Sequence, residues 1–143
     1  MARINHLAIV VEDIQAALRF WRDALGLSLG KVERNEREEV EIAFLPVGEG
    51  EIELLAPINQ TSGVAKYLAR RGAGMHHLCL EVDDIAATMR RLSEHGIELL
   101  NDAPKVNEEG VKYCFVHPKS AFGVLVELYE MPRDGETSDH TRS

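Results

Sequence analysis

The sequence contains one pattern twice, and the second copy follows the first by about half of the chain length. Each copy starts at a His, continues through an apolar stretch and reaches an acidic pair, at residues 6–14 and again at 77–85. An acidic residue inside a later apolar stretch completes each copy, Glu53 in the first and Glu127 in the second. Because a repeat is one supersecondary unit used again, the sequence predicts two similar modules whose His and Glu residues face one shared site.

Hydrophobic periodicity assigns each module the element order β-α-β-β-β. In the first module a buried strand precedes a helix with Asp13 as its N-cap, and the glycines at 48 and 50 mark a hairpin between the last two strands. The second module repeats this order. The predicted strands are 3–11, 27–32, 39–47, 51–56, 77–82, 98–100, 112–117 and 124–129, and the predicted helices are 15–25 and 85–95.

These elements predict an α+β protein with a single domain at residues 1–130. The two modules cover about 3–56 and 75–130, and the connector 57–74 carries a short helix. Residues 131–143 have no apolar face to bury, so we expect a disordered tail.

Composition and charge argue against several classes of protein. The net charge of −8 argues against general nucleic-acid binding, although a local cluster of Lys and Arg can still bind an anionic ligand. No apolar run approaches the ~20 residues of a membrane-spanning helix, and the first residues do not have the pattern of a signal peptide. Cys79 and Cys114 lie outside any metal-binding spacing, which predicts two buried, reduced thiols. We therefore expect a cytoplasmic protein that binds neither nucleic acid nor membranes.

Five polar side chains are predicted to share one face of the sheet. Side chains alternate along a strand, so if the apolar neighbours of these five pack under the helices, the five project from the other face. An ionised carboxylate among apolar residues is costly to bury unless it is paired or binds a metal. Imidazole nitrogen with carboxylate oxygen suits zinc, cobalt, nickel, manganese or iron better than calcium or magnesium. The five residues are His6, Glu41, Glu53, His77 and Glu127.

Several stretches of the chain resemble the methylmalonyl-CoA epimerases, a family of the vicinal oxygen chelate, or glyoxalase-like, superfamily. The resemblance covers nearly all of residues 3–130 and includes stretches outside the polar set. It implies a fold in which two βαβββ modules pair into a curved eight-stranded mixed sheet that cups a metal site. The stretches are 41–46 (EIAFLP), 53–57 (ELLAP), 63–68 (GVAKYL), 74–78 (GMHHL), 117–120 (HPKS) and 123–128 (GVLVEL).

The same resemblance implies a metal site and a reaction. The ligands would be His6, Glu53, His77 and Glu127 on one divalent ion, with cobalt as first choice and manganese, nickel or zinc as alternatives. The family can have Gln at the second of these positions, where this chain has Glu. The implied reaction interconverts (R)- and (S)-methylmalonyl-CoA in propionyl-CoA metabolism, through an enolate that the metal stabilises. Glu41 would be one catalytic base, and Glu127 would be both ligand and second base.

The substrate and the oligomeric state implied by this resemblance add further expectations. The phosphates of a CoA thioester need nearby cations, and Lys119 is the first candidate, with Ser120 and Lys66 as further contacts and Arg70 and Arg71 behind them. The resemblance also implies a homodimer.

Two other functions stay open at the level of the sequence. Glyoxalase I uses the same four-ligand scheme with a Glu at the second position, and its substrate is a glutathione hemithioacetal. Drug-sequestering members of the superfamily bind small molecules without a metal, but four convergent ligands count against that role. The stretch 117–120 and the connector favour the epimerase over glyoxalase I. Fold alone does not choose among these functions.

Overall fold

The fold is a βαβββ unit that occurs twice. The computed structural model describes residues 2–133, and internal contacts divide it into two units. The N-terminal unit is His6–His76, and the C-terminal unit runs from His77 onward and includes the residues before His6. The elements are β1 (Arg3–Val10), α1 (Ile14–Leu18, continued by a π-helical segment Arg19–Ala24), β2 (Lys31–Asn35), β3 (Val40–Val47), β4 (Gly50–Pro57), α2 (Gly63–Arg71), β5 (Gly74–Glu81), α3 (Ile85–Glu94), β6 (Lys105–Val106), β7 (Lys112–Val116), a 3₁₀ turn (Pro118–Ala121) and β8 (Val126–Glu130).

In the N-terminal unit, β4 pairs with β1 in parallel and with β3 in antiparallel orientation, and β2 pairs with β3. The helix α1 begins after Asp13, whose carboxylate accepts a hydrogen bond from the Gln15 amide at 3.2 Å, as predicted for an N-cap. Its apolar stripe packs on one face of β3 and β4. Burial of each large side chain in such a cluster contributes about 1.5–3 kcal/mol. The buried residues of this cluster are Val11, Ile14, Leu18, Ala43, Leu45, Leu54 and Ala56.

The C-terminal unit uses the same arrangement. Here β8 lies between β5, to which it is parallel, and β7, to which it is antiparallel, and β6 pairs with β7. The carboxylate of Asp84 caps α3 by accepting a hydrogen bond from the Ala87 amide at 3.0 Å. The buried cluster under this helix consists of Ile85, Met89, Cys114, Val116 and Leu128. The eight strands belong to one mixed sheet in the order β2-β3-β4-β1-β5-β8-β7-β6, which confirms the predicted α+β class and the predicted repeat.

Two predicted strands are wrong in position. The predicted strand 27–32 is observed as β2, which starts only at Lys31, because Leu27 and Leu29 pack against the core from an irregular segment. The predicted strand 98–100 is reduced to a single bridge between Leu99 and Val116, and β6 lies further on. The carbonyl oxygen of the Asn101 side chain accepts the Phe115 amide at 3.1 Å and so replaces a backbone partner there.

Other sequence-based expectations have mixed outcomes. No helix among residues 2–133 is long and apolar enough to cross a membrane. The single domain at 1–130 stays a prediction. The predicted tail covers residues 131–143, and its residues 134–143 lie outside the part of the chain that the structure describes.

The two cysteines are buried and lie outside any disulfide, as predicted. Cys79 is in β5 and Cys114 in β7, and β8 runs between these strands, so their Cα atoms are about two strand spacings, ~9.6 Å, apart. A disulfide tolerates at most ~7 Å between Cα atoms. The structure therefore excludes a disulfide between them.

Cys114 is expected to resist alkylation in the folded protein. Burial raises the pKa of its thiol to about 11, and the Glu127 carboxylate adds to the rise. At pH 8 roughly one molecule in a thousand then carries the reactive thiolate. Iodoacetamide labelling followed by mass spectrometry across a urea series should modify Cys114 only as the protein unfolds. Rapid labelling of Cys114 in the absence of urea contradicts this expectation.

Candidate functional site

In the N-terminal unit, His6 and Glu53 lie side by side on the face of the sheet away from α1. His6 in β1 is 2% exposed and Glu53 in β4 is 7% exposed. Their neighbours Ile9 and Leu54 pack toward α1, and because side chains alternate along a strand, His6 and Glu53 point the other way. The Nδ1 atom of His6 is 3.4 Å from Oε2 of Glu53.

The C-terminal unit contains a second pair of the same kind. His77 in β5 and Glu127 in β8 lie on the face away from α3, because Leu80 and Leu128 pack toward that helix. The Nε2 atom of His77 is 3.4 Å from Oε1 of Glu127. Each unit thus contains one His–Glu pair, as the repeat in the sequence predicts.

The spacing within each pair is compatible with two ligands of one metal ion. The two separations of 3.4 Å are longer than the ~2.7–3.2 Å of a well-formed hydrogen bond. Two donor atoms that each lie ~2.1 Å from one ion, at tetrahedral or octahedral angles, are ~3.0–3.4 Å apart. Three side chains among residues 2–133 each offer an atom of a type that ligates metal ions. They are His6 of the N-terminal unit, with a ring nitrogen, and His77 and Glu127 of the C-terminal unit, with a ring nitrogen and a carboxylate oxygen. Nitrogen and carboxylate oxygen donors suit a transition metal such as cobalt, manganese, nickel or zinc.

A phenylalanine lies directly opposite the glutamate of each pair, and the sequence analysis missed both. Phe44 in β3 is in register with Glu53, and Phe115 in β7 is in register with Glu127. The Phe115 ring meets the His77 ring edge-on, with their centroids 6.4 Å apart. The signal in the sequence is that both phenylalanines occupy the middle of the third strand of their module. These rings supply an apolar wall next to each His–Glu pair.

The prediction that Glu41 shares a face with Glu53 is wrong. Glu41 is in register with Ala56, which packs toward α1, whereas Glu53 is in register with Phe44. Three residues separate Glu41 from Phe44, and an odd spacing on a strand places the two side chains on opposite faces. The physical reason is that Ala43, two residues after Glu41, packs under the helix, so α1 covers the face of β3 that carries Glu41.

A third buried glutamate has a structural explanation. Glu81 is 8% exposed and accepts a hydrogen bond from the Asn5 side chain at 2.8 Å, and its other oxygen contacts Nε of Arg3 at 3.2 Å. An amide and a guanidinium satisfy a buried carboxylate without a metal. Glu53 and Glu127, in contrast, each have a carboxylate oxygen 3.4 Å from an imidazole nitrogen.

Comparisons with known proteins identify the relatives of this chain. Residues 5–115 match the Glyoxalase/Bleomycin resistance protein/Dioxygenase superfamily. The mitochondrial methylmalonyl-CoA epimerase of Mus musculus is 38% identical over 90% of this chain and 72% of its own length. The ethylmalonyl-CoA/methylmalonyl-CoA epimerase of Cereibacter sphaeroides is 38% identical over 92% of this chain and 99% of its own length. The chain belongs to the methylmalonyl-CoA epimerase family.

Solved structures agree with this family membership. A variant of the Streptomyces coelicolor methylmalonyl-CoA epimerase in complex with 2-nitronate-propionyl-CoA superposes with a TM-score of 0.76 at 32% identity, covering 92% of this chain and 98% of that one. The glyoxalase alternative has weaker support. The lactoylglutathione lyase of Haemophilus influenzae is 26% identical over 85% of this chain.

The residues that the family resemblance suggests for CoA binding lie on two elements. Lys119 and Ser120 are in the 3₁₀ turn, whose first amide hydrogen bond runs from Lys119 N to His117 Nδ1 at 3.0 Å. The Ser120 hydroxyl accepts the Glu98 amide at 2.9 Å, so it holds the turn in place and has its own proton left to donate. Lys66 is exposed on α2 of the N-terminal unit. The roles of these three residues in substrate binding stay predictions.

Proposed function

We propose that this protein is an epimerase that interconverts (R)- and (S)-methylmalonyl-CoA. One observation carries the proposal: a chain of the methylmalonyl-CoA epimerase family has a His–Glu pair in each of its two units. Relatives named for this activity cover nearly the whole chain. The distant match to a lactoylglutathione lyase gives less support to the glyoxalase reaction.

We propose that the two pairs together bind one divalent metal ion. The ligands are His6, Glu53, His77 and Glu127, and cobalt is the first choice, with manganese, nickel or zinc as alternatives. The donor atoms and the 3.4 Å spacing within each pair support this assignment. When bound, the ion supplies positive charge that stabilises the negative charge that develops on the thioester oxygen.

The residues of the chain supply binding and proton transfer. Glu127 is proposed as a base that removes the proton from the carbon between the thioester and the carboxylate. Phe115, in register with Glu127, limits the access of water to that carbon. Lys119, Ser120 and Lys66 are proposed to contact the CoA portion. Epimerisation also needs an acid on the opposite face of the carbon, and the catalytic role that the family resemblance implies for Glu41 stays a prediction.

Two assays on the purified protein test the proposal. With metal added, we expect turnover of (R)-methylmalonyl-CoA to the (S) epimer, measured by coupling to a stereospecific mutase or by chiral chromatography. The second substrate is the hemithioacetal of methylglyoxal and glutathione. Turnover of the hemithioacetal but not of methylmalonyl-CoA identifies a glyoxalase. A lack of turnover of both substrates, together with a lack of metal binding, identifies a metal-free binding protein.

We further propose a cytoplasmic homodimer. The dimer rests on the resemblance to the epimerase family, and two buried thiols that form no disulfide agree with a reducing compartment. Sedimentation velocity at micromolar concentration checks the oligomeric state, and a pure monomer contradicts it.

A further inference from the structure

Phe122, at the end of the 3₁₀ turn, combines two features that are each unfavourable for the fold. Its side chain is 100% exposed, so its ring contributes nothing to a core. Its backbone has a φ of 58°, in the left-handed region where a bulky side chain is strained. Glycine or asparagine would adopt this conformation more easily and would leave no apolar ring in water. A residue that is unfavourable in both respects indicates that the ring has a role beyond the fold.

The turn that carries Phe122 is held in place by hydrogen bonds within the C-terminal unit. The amide of Gly123 donates to the carbonyl oxygen of Pro118 at 2.8 Å and closes the turn. The hydroxyl of Ser120 accepts the Glu98 amide at 2.9 Å, which ties the turn to the segment that follows α3. The ring is therefore presented on a preorganised platform, and preorganisation lowers the entropic cost of binding a ligand.

The same turn offers a cation and leads directly into the strand with the proposed base. Lys119 is exposed three residues before Phe122, and its ammonium group can pair with a phosphate. Glu127, in β8, follows Phe122 by five residues of the chain, which span at most about 18 Å. In CoA a long flexible arm joins the thioester to a pyrophosphate and then to an adenosine with a further phosphate. An aromatic ring and a cation in one turn match the chemistry of that adenosine end.

We propose that Phe122 is a substrate-binding residue whose ring stacks on the adenine of the CoA thioester, with Lys119 on a phosphate beside it; this rests on the proposed epimerase function. Every base has a π face, and stacking on an aromatic side chain stabilises it without hydrogen bonds. The contact holds the far end of the substrate and takes no part in proton transfer. Its loss therefore weakens the use of CoA thioesters and leaves unaffected a thioester that ends at pantetheine.

The experiment separates the adenine contact from the chemistry by using two variants and two substrates. Phe122→Asn removes the ring and suits a left-handed backbone, whereas Phe122→Trp keeps an aromatic ring. Phe20 is 56% exposed in the N-terminal unit, and Phe20→Ala is the matched control. Each protein is assayed at saturating divalent metal with methylmalonyl-CoA and with methylmalonyl-pantetheine, which has the same reacting carbon but no adenosine. Urea unfolding and sedimentation velocity report the stability and the oligomeric state.

We expect Phe122→Asn to lower kcat/KM for methylmalonyl-CoA by about tenfold, because the loss of one stacked base weakens binding by about 5–100-fold. The change should lie in KM rather than in kcat, and kcat/KM for methylmalonyl-pantetheine should equal that of wild type. Phe122→Trp should keep the preference for the CoA substrate, and malonyl-CoA but not malonyl-pantetheine should quench its added indole fluorescence. Phe20→Ala should use both substrates as wild type does. Phe122→Asn should unfold at an equal or higher urea concentration than wild type, since it relieves backbone strain.

Several results would overturn the inference. One is that Phe122→Asn prefers methylmalonyl-CoA over methylmalonyl-pantetheine by the same factor as wild type. Another is that it loses activity on both substrates equally or converts a dimer to a monomer, since the ring then serves the fold or an interface between copies. Failure of wild type to turn over either substrate instead rejects the proposed function. In that case the fluorescence of Phe122→Trp still tests the adenine contact, and an absence of quenching by malonyl-CoA overturns it.

Discussion

The substitution His77→Ala is expected to remove metal binding and epimerisation together. Even residues that only orient a metal ligand cost about 10–100-fold in affinity when changed, so the loss of a ligand should exceed 100-fold. The remaining Glu127 carboxylate is 7% exposed and loses its imidazole neighbour, which leaves a buried charge with less compensation. Metal content after dialysis and turnover at low metal are the two measurements.

The neighbouring histidine provides a matched control. The ring of His76 packs edge-on against Tyr67, with centroids 4.7 Å apart, in the N-terminal unit. His76→Ala removes the same imidazole one position earlier, and it should retain stoichiometric metal and turnover. If His77→Ala binds metal as wild type does and turns over normally, the ligand assignment is wrong.

Glu127→Gln is expected to produce a second large loss, in turnover more than in binding. The amide can still coordinate a metal but cannot accept the α-proton, so epimerisation should fall by about 10²–10⁴-fold at saturating metal. Exchange of the α-proton with deuterated solvent should persist for one epimer and disappear for the other.

Another glutamate of the same strand controls for this substitution. Glu130 accepts the Ile85 amide at 3.0 Å with one oxygen and lies 3.5 Å from the Lys112 ammonium with the other. Glu130→Gln keeps the first contact and weakens the second, which should cost less than about 1 kcal/mol of stability and leave turnover unchanged. Urea unfolding gives the stability. A variant Glu127→Gln that epimerises as fast as Glu130→Gln would rule out Glu127 as a base.

The positions of helices and the order of strands could be predicted because they depend on local patterns. Asp13 and Asp84 cap their helices as acidic residues before an apolar stripe do. The two predicted strands were wrong where apolar residues pack against the core without forming a ladder of backbone hydrogen bonds. Leu29 and Leu99 are apolar because they cover a core, but their segments do not continue as strands, and Asn101 interrupts the pairing with its side chain. Periodicity reports burial and cannot distinguish a buried irregular segment from a strand.

The pairs themselves were recognisable because each His and Glu recurs in the second copy. A repeat in the sequence predicts equivalent sites even when the packing is unknown, since two copies of one unit place equivalent residues in equivalent positions. Phe44 and Phe115 recur in the same way. They were not predicted as site residues, because only polar residues in apolar strands were taken as candidates.

The amino-acid sequence by itself determined that the chain contains two βαβββ units, each with one His and one Glu in apolar strands. It also determined that Glu41 and Phe44 lie on opposite faces of β3, because alternation is a property of the strand alone. Alternation does not say which of the two faces a helix will cover when both carry apolar residues. That choice came from tertiary packing: α1 covers Ala43 and Leu45, the small and the branched side chains that fit under its stripe, and leaves Phe44 beside Glu53.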